Sequence, residues 1–389
     1  MKQIYFDNSA TTPLCREARE AFLAVCDGTW GNPSSLHACG LAAARVLEDS
    51  RRALARALGA KDGQVVFTGS GSEANNLAVL GRAYAKERYR RGARIITTAG
   101  EHASVSMPLA KLKSEGYEVV EIPTVDGELD LGALESALTK NTILLTLMTV
   151  NNETGARYDV AAAARLMRRL APDAILHTDA TQAFMKIPLS PAKEGADLIT
   201  VSAHKIGGPK GCGALWVSPA VIKNKGLAAQ VLGGGQEGGL RSGTENVAGI
   251  AAFAAACEAA APHTAERAAH MRSLRDRLIT AIQTNPVYAE VKPNLPRESA
   301  PHILNLTLPR IKSETMLHFL SAEGISVSSG SACSSHGRHA SPPLVAFGLS
   351  EQEADQSIRI SFSHENTEEE VDLFLAALAK GLSSLARIR

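Results

Sequence analysis

Lys205 follows the apolar run Ile199-Thr200-Val201 and precedes a glycine-rich turn, Gly207-Gly208-Pro209-Lys210-Gly211. A surface lysine is the ordinary reading. A lysine at the end of a buried strand instead loses proton affinity and becomes a nucleophilic amine. Asp179 closes another apolar run, Leu176-His177-Thr178, either as a helix N-cap or as a carboxylate at the ligand-binding edge of a sheet. Upstream, Gly69-Ser70-Gly71-Ser72-Glu73-Ala74 follows Val65-Val66-Phe67 and opens a helix. Such a start offers backbone N–H groups to an anion, although a plain tight turn would look the same. It matches the G-x-G-x-x-A of dinucleotide sites, but the acidic residue expected about 20 positions on is missing. An amine, a carboxylate and a phosphate turn at successive strand ends meet the needs of pyridoxal phosphate. The amine forms a Schiff base, the carboxylate pairs with the pyridinium nitrogen, and the turn holds the phosphate.

Two further segments add chemistry. Cys333 lies in Ser328-Ser329-Gly330-Ser331-Ala332-Cys333-Ser334-Ser335, a loop composition that suits an exposed, reactive thiol. Cys333, His336 and His339 have a spacing that could bind metal, but no second ligand group is evident, so no metal is expected. In Ser357-Ile358-Arg359-Ile360-Ser361-Phe362, strand periodicity puts Arg359 opposite the apolar face. There it is either a solvated charge or a bidentate clamp for a carboxylate.

These residues need a sheet to position them. Strands are predicted at 64–68, 94–98, 118–122, 143–149, 175–178, 198–202 and 214–217, with helices such as 73–90, 104–115 and 160–171 between them. That alternation implies an α/β unit with a mainly parallel seven-stranded sheet. After about residue 260 the pattern becomes α+β, with helices at 264–284 and 367–385 and strands at 302–308, 326–328 and 357–363. The four prolines of 286–301 read as a connector.

Composition narrows the partners. Over 389 residues, 41 Lys+Arg balance 40 Asp+Glu, and aromatics are 4%. Neither nucleic acid nor a single-stranded stacking platform is expected from that. No apolar run reaches a membrane span, and the N-terminus lacks the features of a signal peptide. Six scattered cysteines suit a reducing cytoplasm, with all but Cys333 expected as small core residues.

The ordered motifs resemble those of the cysteine desulfurases, the NifS/IscS-like group I branch of the class V, fold-type I pyridoxal-phosphate enzymes. They are Phe6-Asp7-Asn8-Ser9-Ala10-Thr11-Thr12, Gly31-Asn32-Pro33-Ser34-Ser35-Leu36-His37, Glu101-His102-Ala103-Ser104-Val105 and Val150-Asn151-Asn152-Glu153-Thr154-Gly155, followed by Ser202–Lys205, Arg241-Ser242-Gly243-Thr244-Glu245-Asn246 and the Cys333 loop. The resemblance implies a large cofactor domain over 15–260 and a smaller one from 1–14 and 261–389.

It also implies roles. Lys205 bonds the cofactor, His102 stacks on its ring and assists proton transfer, and Asp179 pairs with the ring nitrogen. Asn152 and Gln182 lie near the ring, with Gln182 on the phenolic oxygen. Gly71, Ser72, Ser202 and His204 hold the phosphate, and Thr244 reaches the phosphate of a partner subunit in a homodimer. Asn32 and Arg359 hold the carboxylate of L-cysteine, and Cys333 collects its sulfur as a persulfide, leaving alanine.

Three features depart from the family pattern: Ser72 where threonine is usual, Gly208 where an aromatic is common, and a His- and Pro-rich stretch after Cys333. A selenocysteine lyase or another class V aminotransferase is the rival enzyme reading, although transamination needs no thiol. A non-catalytic sulfur carrier would not need the Lys205–Asp179–His102 set. The acceptor is expected to be an iron–sulfur scaffold or a tRNA-thiolation protein. The short C-terminal end after Leu385 leaves the scaffold in doubt.

Overall fold

Side-chain alternation along the central strands decides how the layers stack. In the computed structural model, which describes residues 3–85, 93–329 and 341–385, the chain enters on β1 (Ile4–Tyr5). Helices α1 (Arg16–Gly28) and α2 (Ala38–Ala57) follow. The main sheet comprises β2 (Gln64–Thr68), β3 (Arg94–Thr98), β4 (Glu118–Ile122), β5 (Thr142–Met148), β6 (Ile175–Asp179), β7 (Leu198–Ser202) and β8 (Gly213–Val217). Its order is β2-β8-β7-β6-β5-β3-β4. Only β8 is reversed, antiparallel to both β2 and β7. The short glycine-rich link carrying Lys205 accounts for this, because so brief a connection can join only antiparallel neighbours.

Val66, Leu215 and Val217 point to one side, where they meet Leu77 of α3 (Gly71–Ala83) and Leu109 and Leu112 of α4 (Ala103–Ser114). Val65, Phe67, Ala214 and Trp216 point to the other and meet Leu47 and Leu54 of α2 and Phe253 of the helix Val247–Ala260. The sheet is thus covered on both faces, as parallel sheets require. Helix α3 ends at Ala83 rather than continuing to Arg90; residues 86–92 lie outside the described residues.

The second sheet contains β9 (Lys292–Asn294), β10 (Ile303–Thr307), β12 (Ser328–Ser329) and β13 (Ser357–Ser361), in the order β12-β13-β10-β9. The short β11 (Ile325–Ser326) instead pairs in parallel with β1. Helices Thr264–Thr284 and Glu368–Ser384 bury Leu274, Leu278, Phe374 and Leu378 against Ile358 and Ile360. Two expectations change here. The proline-rich stretch 286–301 is not merely a connector, because it contains β9; Pro293 is tolerated there because β9 is an edge strand. The segment 326–328 is divided between β11 and β12.

The cysteines also divide. Cys212 and Cys257 are core residues as expected, but Cys26 and Cys39 are exposed and Cys15 is half-buried. Among the described residues, no helix is long and apolar enough to cross a membrane.

Gly213 opens β8 against the Ser70–Gly71 turn before α3. A Cβ there would lie 2.3 Å from the Ser70 carbonyl carbon and 2.6 Å from Gly71 N, both backbone atoms. Gly213→Ala is therefore expected to lower stability by about 1–3 kcal/mol. The denaturant midpoint measures this; an unchanged midpoint would show that the turn yields freely.

Candidate active site

The carboxyl ends of the parallel strands deliver their following residues to one place. Gly71 and Ser72 come after β2, His102 after β3, Asn152 after β5, and Gln182 after Asp179 closes β6. Ser202 closes β7, with His204 and Lys205 in the single turn that follows. All of these, with Arg359 of β13, line one cavity of about 420 Å³. Ligand sites of α/β sheets form at this edge because the strand-to-helix loops diverge there.

Lys205 Nζ donates to the Ser9 and Ala10 carbonyls at 2.6 and 2.7 Å. Gln182 Nε2 donates to the same Ser9 carbonyl at 2.9 Å. The N-terminal segment therefore holds the amine and orients the amide beside it.

Asp179 is buried and caps no helix. Its Oδ1 accepts from Thr181 N at 2.9 Å, and its Oδ2 accepts from Asn75 Nδ2 at 2.7 Å. The same Asn75 Nδ2 donates to Ser104 Oγ at 2.8 Å. Ser104 Oγ lies 2.8 Å from His102 Nδ1, which also accepts from Ser104 N at 3.1 Å. With Nδ1 accepting, the ring proton sits on Nε2. Burial lowers the proton affinity of His102, against the pull of Asp179. A neutral imidazole and an anchored carboxylate thus share one hydrogen-bonded chain.

Arg359 is almost wholly buried. Nη2 meets Asp7 Oδ1 at 2.9 Å, and Nη1 meets Glu153 Oε1 and the Asn152 carbonyl, each at 2.9 Å. Of its two sequence readings, the solvated charge is excluded.

A phosphate-bearing group fits the turn before α3. Ser202 Oγ is buried without a hydrogen-bond partner, and a Cβ on Gly71 would come within 3.2 Å of Ser202 Cβ. Gly71 thus leaves a cradle that any other residue would fill. Ser70 Oγ caps Glu73 N, which leaves the Gly71 and Ser72 N–H groups as the donors with no acceptor within the helix. His204 Nδ1 is 3.1 Å from Thr11 Oγ1, and burial followed by Lys205 lowers its pKa to about 4.

Asn32 and Thr244 do not reach this cavity. Both are exposed, and Asn32 Oδ1 accepts from Ser34 N at 2.9 Å. The loop of Thr244 is nevertheless tied to the phosphate turn. Arg241 Nε donates to Glu73 Oε1 at 2.8 Å, while Glu73 Oε2 accepts from Gly69 N at 2.8 Å. Cys333, His336 and His339 lie outside the described residues.

Sequence reasoning missed Asn75, Glu101, Asp7, Glu153 and Lys186 as participants. Asp7, Glu101 and Glu153 stand inside motifs already quoted. Asn75 gives itself away only as a polar residue on the face of α3 that packs on the sheet.

Comparison with known proteins adds independent findings. The family described as aminotransferase class-V matches residues 4–374. Cysteine desulfurase IscS 1 of Archaeoglobus fulgidus is 37% identical over 96% of this chain and 95% of its own. Cysteine desulfurase IscS of Escherichia coli strain E24377A is 38% identical over 98% and 93%. A solved NifS-like protein superposes with a TM-score of 0.90 at 33% identity, covering 99% and 100% of the two chains. A structure of SspA in complex with cysteine gives a TM-score of 0.81 at 30% identity, over 94% and 100%.

Glu101 lies directly before His102. Oε1 accepts from Thr98 Oγ1 at 2.7 Å and Met148 N at 2.9 Å, while Oε2 is buried without a partner. Burial raises its pKa from 4.5 to about 8. The folded carboxyl keeps its proton where the unfolded one ionises. Its stabilising effect is complete below pH 4.5 and is lost as pH rises through about 8. Glu101→Gln is expected to remove this dependence, so that the wild type loses up to roughly 1.4 kcal/mol per pH unit relative to the variant in that window. Urea melts across the range measure it; parallel curves would mean that Glu101 is ionised in the fold.

Proposed function

The chain belongs to the class-V aminotransferase family as a pyridoxal-phosphate-dependent cysteine desulfurase, and on that premise we propose how its residues carry L-cysteine to L-alanine and a persulfide. The observation that carries the reading is the convergence of Lys205, Asp179 and His102 on one cavity whose cradle at Gly71 and Ser202 would take a phosphate. When bound, the cofactor supplies an electron sink for charge developing at the substrate α-carbon.

Asp179, its carboxylate already oriented by Asn75 and the Thr181 amide, would pair with the ring nitrogen. Gly71 and Ser72 amides, Ser202 Oγ and His204 would hold the phosphate. Gln182 would offer its amide to the phenolic oxygen, and Asn152 and His102 would border the ring. Lys205 would bond the aldehyde, and its Nζ, when free, would take the α-proton of the substrate with assistance from His102. Arg359, held by Asp7 and Glu153, would bind the substrate carboxylate, and Asn32, which does not reach the cavity within this chain, would join it only from a second copy.

Cys333 attacks the substrate sulfur as a thiolate. An S–S bond forms as the carbon–sulfur bond breaks, and protonation of the remaining fragment gives alanine. Ser328 supports this role, because it lines the cavity and five residues span at most about 17 Å from there to Cys333. The terminal sulfur then passes to an acceptor protein of the iron–sulfur scaffold or tRNA-thiolation type.

A homodimer completes the site in this reading. Leu36 is 90% exposed and Leu232 84%, close in sequence to Asn32 and Thr244, which suits burial against a second copy. The Thr244 hydroxyl would then meet the partner's phosphate. Residues 15–260 form the cofactor unit and 1–14 with 261–389 the second; the β1–β11 pairing supports the return of the N-terminus to the latter. A cytoplasmic setting suits the five unpaired thiols among the described residues.

Cys333→Ser tests the assignment directly. The variant is expected to bind the cofactor and L-cysteine normally, yet to carry no added sulfur in its intact mass and to lose alanine formation. Peptide mapping is needed alongside, because Cys26 and Cys39 are also accessible. Added sulfur on one of those residues, or wild-type alanine production by Cys333→Ser, would refute the mechanism.

A further inference from the structure

The strand that leads into the phosphate turn has one open side. β2 is an edge of the main sheet, so its backbone groups facing away from β8 have no strand to pair with. Charged side chains take them instead. Arg51 of α2 donates through Nη1 to the Val65 carbonyl at 2.5 Å. Phe67 N donates to Glu237 Oε2 at 2.9 Å, and Gly69 N donates to Glu73 Oε2 at 2.8 Å. Alternate residues of an extended chain face the same way, so Val65, Phe67 and Gly69 form one row along this edge and just past its end.

Two arginine–carboxylate pairs close the row. Arg51 Nη1 and Nη2 meet Glu237 Oε2 and Oε1 at 2.6 and 3.0 Å. Arg241 Nε meets Glu73 Oε1 at 2.8 Å. Glu237 and Arg241 belong to one loop that folds on itself: Ser242 N donates to the Val231 carbonyl at 3.1 Å, and Gly243 N donates to Gln236 Oε1 at 2.8 Å. Glu237 is buried at φ 51°, a left-handed conformation that such a side chain keeps only where its surroundings enforce it. The Arg51–Glu237 pair thus holds the loop beside β2, and that placement brings Arg241 to Glu73.

Glu73 has a useful shape and an unfavourable charge. It takes the Gly69 N–H, while Ser70 Oγ takes Glu73 N at 3.1 Å, so the Gly71 and Ser72 amides are left for an anion. A Cβ on Gly69 would lie 2.8 Å from Glu73 Oε2, so the glycine makes room for the carboxylate. A carboxylate in the first turn of α3 nevertheless opposes a phosphate at the same turn, because like charges at close range repel. Among the described residues, Arg241 supplies the cation that pairs with it.

Resting on the functional reading above, we propose that Arg241 is a positioning residue for the cofactor phosphate: it aims and neutralises Glu73, so that the turn keeps its sorted donors without repelling a doubly negative group. Arg241 does not line the catalytic cavity of this chain, and it acts through Glu73 rather than by touching the phosphate.

The test measures equilibrium uptake of pyridoxal phosphate, and of pyridoxal lacking the phosphate, by the cofactor-free full chain. Arg241→Gln is expected to weaken binding of pyridoxal phosphate about tenfold and to leave pyridoxal within about twofold. Adding Glu73→Gln removes the uncompensated charge and keeps an oxygen for Gly69 N. The double variant should therefore return to within about threefold of the wild type. Arg241→Met replaces the glutamine variant should that fail to fold. Equal weakening of both ligands by Arg241→Gln would make Arg241 a general support of the fold and overturn the inference. No recovery in the double variant would make it a direct phosphate ligand and overturn the inference as well. Both results leave the functional reading intact. A wild-type chain that binds pyridoxal as tightly as pyridoxal phosphate would overturn both.

Discussion

A guanidinium placed almost out of reach of water has to be answered by carboxylates, and the way Arg359 is answered ties the molecule together. The cluster joins three separate stretches: Asp7 next to β1, Glu153 with the Asn152 carbonyl after β5, and Arg359 itself on β13. The net stabilisation of such a cluster is small, because each ion loses its hydration. Breaking it is another matter, since removing one partner strands a buried charge at a cost of about 3–5 kcal/mol. Burial raises the Glu153 carboxyl above its ordinary range, and Arg359 offsets only part of that rise. The cluster fixes the second sheet against the edge of the first beside the cavity.

The same economy of backbone groups governs the cofactor end. Ser9 and Ala10 carbonyls receive Lys205, and Ser9 also receives Gln182, so an apparently peripheral N-terminal segment sets the position of the central amine. On the other side, a single Asn75 amide joins Asp179 to Ser104 and through it to His102. Lys205, Asp179, His102 and Arg359 are each held in place by another residue of the chain. Such support is what keeps catalytic groups within a few tenths of an ångström of a working geometry.

The strands were legible because each is short, β-branched and bounded by glycine or a polar turn: 64–68, 94–98, 118–122 and 198–202 match the sequence reading residue for residue. The site was legible at Lys205, Asp179 and Gly71 for the related reason that strand ends in parallel sheets converge. What periodicity could not supply was pairing. Lys292–Asn294 hid inside a proline-rich stretch because only the presence of β10 beside it makes it a strand. The exposure of Cys26 and Cys39 was hidden as well, because α1 and α2 each bury a single face. Lys186 and Asn75 escaped notice because a polar residue on an apolar helix or turn shows its purpose only when its partner, distant in sequence, is known.

Two amines lie close to this cavity, Lys205 half-buried and Lys186 buried, and the account depends on only one of them bonding the cofactor. Borohydride reduction of the cofactor-loaded chain, followed by proteolysis and mass mapping, decides between them in one measurement. The account requires the reduced cofactor on the peptide containing Lys205, with Lys186 unmodified. Cofactor mass on Lys186, or shared between the two, would contradict it.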